Sequence, residues 1–274
     1  MAMAAITTGN TAATMSTEPR ARKDKGRYGV IVLAALLGGA LVLLSVPRIA
    51  AYGALSGFGD VRAALDDGGA VEPQRLDAAY LAFEAAGRRL PDDAAILRDK
   101  ARIARRLVQA AGVPKANETP GISREARARA VQGAAIWRAR AVRDLTKAAV
   151  ASPANAFIWA LLADAELEAG SAAQDVLAEL HLARLTGPYR ASALVLEHGI
   201  VMRHWEVMPE AMRAHVMAST RLFWGRHGLR SVLLSSYIDA GFEARAAFRE
   251  EFRDTPAALE QIDRLLWSDI GRGR

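Results

Sequence analysis

Between Arg27 and Arg48 the chain runs for twenty residues, 28–47, without a charged side chain, an amide or a histidine. As a helix rising about 1.5 Å per residue, such a stretch spans about 30 Å, the thickness of a bilayer's hydrocarbon core. A core helix of a soluble protein rarely needs so long an all-round apolar surface, because part of it would face water. The stretch therefore predicts a transmembrane helix. A cleaved export signal is the rival, since Arg20, Arg22, Lys23, Lys25 and Arg27 form the basic flank that such signals carry. Their apolar run is shorter, however, and a small-residue cleavage pattern should follow. Here Ser45, Val46, Pro47, Arg48 and Ile49 follow, and the first tolerable cut, after Ala51, has the bulky Ile49 near it. The uncleaved anchor is favoured.

Orientation follows from the same flank. Five Lys/Arg precede the span within eight residues, whereas only Arg48 follows it before Asp60. The positive-inside rule then keeps the N-terminus in the cytoplasm and sends the remainder across the membrane. The expected organisation is a disordered cytoplasmic tail with a basic flank (1–27), the span (28–47), a Gly-rich juxtamembrane linker (48–59) and an α-helical domain (60–274). Within the span, Ala34 with Gly38 and Ala35 with Gly39 are small residues four apart, a spacing that lets two helices approach in lipid and offers a route to a homo-oligomer.

The formal net charge of +6 suggests nucleic acid at first sight. Residues 1–59 hold six Lys/Arg and two Asp/Glu, so of the totals of 36 and 30 the domain keeps 30 and 28, a net of +2. That leaves nucleic-acid binding with little electrostatic support. Cysteine is absent, which excludes thiolate chemistry and cysteine-ligated metal. In an oxidising compartment the domain would stand on its apolar core without disulfides.

Beyond Asp60 the pattern is helical, with no convincing alternating strand. Breakers fall at Pro73, Pro91, residues 112–121, Pro153, Gly170, Gly187 with Pro188, Pro209, Gly228, Gly241 and Pro256. Between them apolar residues recur at three and four: Phe157, Leu161 and Ala165, then Met212, Val216, Ser219 and Phe223. Short connections imply antiparallel neighbours, so the expected class is all-α, an antiparallel array behind a transmembrane helix.

The prolines carry a finer pattern. Ala79, Phe83, Ala86 and Pro91 are spaced as in the second helix of a tetratricopeptide repeat, and Ala141, Leu145, Ala148 and Pro153 repeat the spacing. Counting on from Pro153 places Trp159 and Leu162 at the next unit's signature positions. Leu180, Ala183 and Pro188 complete it if one residue is added near Gly170. The chain thus resembles a tetratricopeptide-repeat (TPR-like) helical protein over residues 73–112 and 129–188. Departures are the Ala163 and Glu166 that replace glycine and tyrosine, the missing first-helix signature of the second unit, and loss of register beyond Pro188.

Residues for chemistry are sparse. His181, His198, His204, His215 and His227 show no metalloprotease spacing. His181 and His198 follow apolar helical rows and read as partly buried structural histidines, while convergence of His198, His204 and His215 stays open. Asp92 and Asp93 follow Pro91 and suit a helix start, where exposed backbone N–H groups favour negative charge. Asp66 with Asp67 and Glu250 with Glu251 are adjacent pairs whose members point apart on a helix. Trp205, Phe223, Trp224 and Trp267 lie among Met202, Met208, Met212 and Met217, more naturally core than a peptide groove. No phosphate loop, nucleophile elbow or dinucleotide fingerprint is present, so no catalytic, cofactor-binding or metal residue is assigned. One charged feature remains. On a helix over 122–150, Arg129, Arg140, Arg143 and Lys147 share a face away from the stripe of Ala130, Ala134, Trp137, Ala141 and Leu145. It is either a solvated face or a docking strip for an anionic partner: lipid headgroups, an acidic protein or a glycan.

What the resemblance implies is a scaffold or adaptor, held in a bacterial inner membrane with its array in the periplasm. Its partners would be other proteins of an envelope assembly or export machine, of the polysaccharide-export or cytochrome-maturation type. The alternatives are an envelope enzyme acting on glycans and a structural subunit that oligomerises.

Overall fold

The computed structural model describes residues 21–111 and 123–270. Most of the tail expected to be disordered, the breaker stretch 112–121 and the last four residues lie outside these. Every element among the described residues is helical. The chain divides into two compact units, Met1–Ile49 and Ala50–Arg274.

The first unit holds most of α1 (Ala21–Leu55). Its most apolar 18-residue window has a mean hydropathy of 2.6, long and apolar enough to cross a membrane. From Tyr28 to Ala50 every side chain is exposed. Ser45 donates its hydroxyl proton to the Leu41 carbonyl within the same helix (2.7 Å), so its one polar group needs no outside partner. Ala34 and Ala35 lie on this exposed surface, and a Cβ at Gly38 or Gly39 would meet nothing within 4 Å.

The second unit corrects the expected linker. Residues 48–55 continue α1 past Pro47, a 3₁₀ turn covers Ser56–Phe58, and α2 (Gly59–Asp67) follows directly. Ala51 and Leu55 are fully buried in the same core as Val61, Phe83 and Ile96. Spaced four apart, they form a buried row, and that burial outweighs the cost of glycines in a helix, about 1 kcal/mol each. The Tyr52 hydroxyl donates to Asp93 (2.9 Å) and Arg89 donates to the Ala50 carbonyl (3.2 Å).

The array continues with α3 (Pro73–Arg89) and α4 (Ala94–Ala110). Pro73 opens α3 where its missing N–H costs nothing. Asp93 caps α4, accepting from the N–H groups of Ala95 (3.0 Å) and Ile96 (3.1 Å), so of the two expected acidic residues Asp93 is the cap. Ser123 caps α5 (Arg124–Ala151), and Gly170 ends α6 (Ala156–Ala169) in the left-handed conformation. Next come α7 (Leu177–Thr186), α8 (Ala191–Arg203), α9 (Glu210–Trp224), α10 (His227–Asp239), α11 (Phe242–Glu251) and α12 (Pro256–Ile270).

From α3 to α7 each helix packs on its sequence neighbour. Then the order changes: α8 packs on α6 and α10, and α9 lies against α8, α10 and α11. In this way α10 returns onto α8. The array has two main apolar cores. The first runs from α1 to α6 and the second from α6 to α12. Between them α6 is buried on nearly all sides, giving Leu161, Leu162 and Ala165 to the first core and Ala163 to the second.

The signature residues Ala79, Phe83, Ala86, Ala141, Leu145, Ala148, Leu162, Leu180 and Ala183 are all buried. Pro91, Pro153 and Pro188 are exposed in the turns α3–α4, α5–α6 and α7–α8. Trp159 is half-buried and its indole N–H donates to the Pro153 carbonyl (2.8 Å), joining two signature positions. Gly187 permits a close approach, since a Cβ there would come within 2.6 Å of the Ala156 Cβ.

Candidate arginine-lined site

On α4 two charges interrupt the apolar stripe, and both are buried with partners. Lys100 Nζ lies 3.1 Å from Asp144 of α5 and 5.5 Å from the Tyr80 ring centre, while Arg143 adds a second contact to Asp144 (3.1 Å). Asp99 meets Arg98 (2.7 Å) and Arg62 (3.4 Å). One turn further, Arg105 reaches Asp164 (2.5 Å) and, by two hydrogen bonds, Glu168 on α6. Arg203 of α8 completes the group at 2.7 Å from Asp164. Burial works to raise the Asp164 pKa, but the Arg105 and Arg203 guanidinium groups hold it below the ordinary carboxylate value. Burial likewise works against the charge on Arg105, and Glu168 with Asp164 outweighs it, holding its pKa above normal.

Beside this group opens a cavity of about 170 Å³ lined by Leu65 of α2, Arg102, Arg105, Arg106 and Gln109 of α4, and Leu161 of α6. The polar residues sit at i, i+3, i+4 and i+7, one face of the helix. Arg102 is paired with Asp66 (2.8 Å) and donates to the Leu65 carbonyl. Sequence reasoning missed this site. Its signal was available in the spacing of Arg102, Arg105, Arg106 and Gln109 and in the charges Asp99 and Lys100 within an apolar stripe. A second cavity, of about 180 Å³, lies between α8 and α10 and includes Gly199, Arg203, Ser236 and Asp239.

The expected basic strip on α5 is divided by the fold. Arg129, Arg143 and Lys147 are exposed, but Arg143 is paired with Asp144, and the Arg140 guanidinium sits over the Trp137 (4.6 Å) and Tyr80 (5.6 Å) rings. Val131 and Ile136 on the N-terminal half of the same helix are also exposed.

The histidines do not share one site. His198 is buried, and its Nε2 lies 3.1 Å from the Thr220 oxygen on α9. Thr220 spends its own proton on the Val216 carbonyl (2.9 Å), so Nε2 carries the hydrogen and donates, leaving Nδ1 unprotonated without a hydrogen-bond partner. Burial pushes the His198 pKa down to about 4. Its neighbour Glu197 faces α7 instead, 3.6 Å from Arg184, and burial, only partly offset by Arg184, raises its pKa to about 7. His204 and His215 are half-buried, with pKa values lowered by burial and then by Arg203 and Arg184 respectively. His181 is exposed, contrary to expectation, because its helical row with Leu185 faces solvent. The His227 side chain lies outside the described residues. Among the described residues no three His, Asp or Glu side chains gather as a metal-binding set. Trp224, Phe223 and the four methionines fill the second core as expected, with Trp205 half-buried against it, whereas Trp267 is exposed.

Comparison of the chain with protein-family models, curated proteins and solved structures gives no match.

Proposed function

We propose that the chain is a single-pass membrane protein of the bacterial inner membrane, with a TPR-like array that lies in the periplasm and binds partner proteins of an envelope assembly or export machine. Support for the anchor is the exposed apolar surface of α1, and support for the orientation is its basic N-terminal flank. The burial of the signature residues of α3, α5, α6 and α7 supports the repeat reading. The observation that carries the binding role is α5. This 28-residue helix presents Arg129 and Lys147 with the apolar Ile136 on one exposed face, a combination suited to an acidic protein partner. A span confines such a surface to two dimensions and raises its effective concentration near membrane partners.

The test is a photo-crosslinker at Ile136 in native membranes, with and without Arg129→Glu and Lys147→Glu. A protein other than self should be captured, and the double reversal should reduce its yield tenfold or more. Capture of self alone would favour an oligomerising structural subunit using Ala34, Gly38, Ala35 and Gly39, and unchanged capture by the reversed variant would reject the α5 surface. A C-terminal reporter active only in the cytosol would, if it were active, reverse the orientation.

A further inference from the structure

We propose that the cavity between α2, α4 and α6 binds a phosphate-type oxyanion through Arg102, Arg105 and Arg106. Three guanidinium groups on one helical face repel one another, and the fold compensates two of them. Arg102 has Asp66, while Arg105 has Asp164 and Glu168. Arg106 has no carboxylate within 4.0 Å among the described residues. Its Nη1 donates to the Gln109 side-chain oxygen (3.2 Å) and its Nη2 to the Ala64 carbonyl at the long distance of 3.4 Å. The carboxylates that hold Arg102 and Arg105 stand outside the lining, which contains no acidic residue. Arg105 is thereby fixed in place, its Nη1 left over from the bonds made by Nε and Nη2. The three arginines are half-buried, so an anion among them is screened less than on an open surface.

The choice of phosphate follows from donor count. A carboxylate offers two oxygens, which one guanidinium fork satisfies; a phosphate group offers three acceptor oxygens and close to two negative charges. A cavity of about 170 Å³ admits a phosphate group but is smaller than the roughly 300–1,000 Å³ of sites that enclose drug-sized ligands, so base and sugar of a nucleotide would remain outside.

Full-length protein in zwitterionic nanodiscs is titrated with inorganic phosphate, and separately with acetate and succinate, at constant ionic strength by calorimetry. Phosphate should bind saturably and raise the Tm. Arg106→Gln, which breaks no carboxylate pair, should weaken binding tenfold or more, and Arg106→Lys should weaken it about threefold by losing the fork. Arg88→Gln, exposed on α3, should leave binding unchanged. The proposal is overturned by absence of saturable phosphate binding, by equal affinity in Arg106→Gln, or by carboxylates binding as tightly as phosphate. None of these outcomes bears on α5, so the adaptor reading stands or falls separately.

Discussion

The two cores of the array handle buried charge differently. In the first, Asp99, Lys100, Asp144 and Asp164 all sit beside oppositely charged partners between 2.5 and 3.4 Å away. In the second, Glu197 has one guanidinium at 3.6 Å and His198 has a nitrogen without a hydrogen bond. A buried charge with a close partner becomes most costly when that partner is removed. An underpartnered group shifts its pKa instead and makes stability depend on pH. The packing follows the same division. The first core brings helices together through alanines such as Ala79, Ala86, Ala141 and Ala148, whereas the second fills its volume with Met202, Met208, Met212, Phe223 and Phe248.

The largest expected effect is in the first core. Lys100→Met leaves the buried Asp144 with only the more exposed Arg143 beside it and should cost about 3 kcal/mol, seen as a lower denaturation midpoint. Adding Asp144→Leu should recover most of that loss, and failure to recover would mean that the pair is not an isolated balance of charge.

The second core should show the pH effects. The folded pKa of Glu197, about 7, lies above its ordinary value of 4.5, so its stabilising contribution is complete below 4.5 and lost as pH rises through 7. For His198 the folded pKa of about 4 lies below 6.5, so its contribution is complete above 6.5 and lost as pH falls through 4. Each window is worth about 3 kcal/mol, at about 1.4 kcal/mol per pH unit. The two slopes oppose each other between pH 4.5 and 6.5 and nearly cancel. Glu197→Gln should therefore expose a loss of stability toward acid, and His198→Asn a loss toward alkali, in Tm measured across pH 4–8. Parallel slopes in the two variants would break the comparison.

The smallest effects concern packing. Ala141→Leu forces methylenes into a close helix contact and should cost about 1–3 kcal/mol, whereas Met202→Leu conserves volume and should cost less than about 1.5 kcal/mol. Equal losses would mean that the second core is packed as tightly as the first.

Much of this molecule was legible in one dimension. The apolar run 28–47, the breakers and the three- and four-residue spacings carried the class and most helix limits, and Asp93 was readable as a cap. Those signals are local: a helix is closed by hydrogen bonds four residues apart, and its buried face repeats in the chain itself. The linker was misread because Ala51 and Leu55 acquire their value from residues such as Phe83 and Ile96, 28 to 45 positions away. His181 was misread for the converse reason, since of its apolar row only Leu177 packs against the second core while Leu185 is left exposed. The arginine site was half legible, its stripe on α4 visible and its carboxylates on α2 and α6 not.

By itself, then, the sequence determined an apolar N-terminal helix and a domain made only of helices, because hydrophobic period and chain breakers act over a few residues. Tertiary structure alone decided which charges are paired, that α10 returns to α8, and that the arginine face of α4 lies beside leucines of α2 and α6. Those outcomes depend on distances between residues up to 63 positions apart, as for Arg105 and Glu168. Coulomb attraction and burial act through space, and no local pattern encodes which distant side chain will be near.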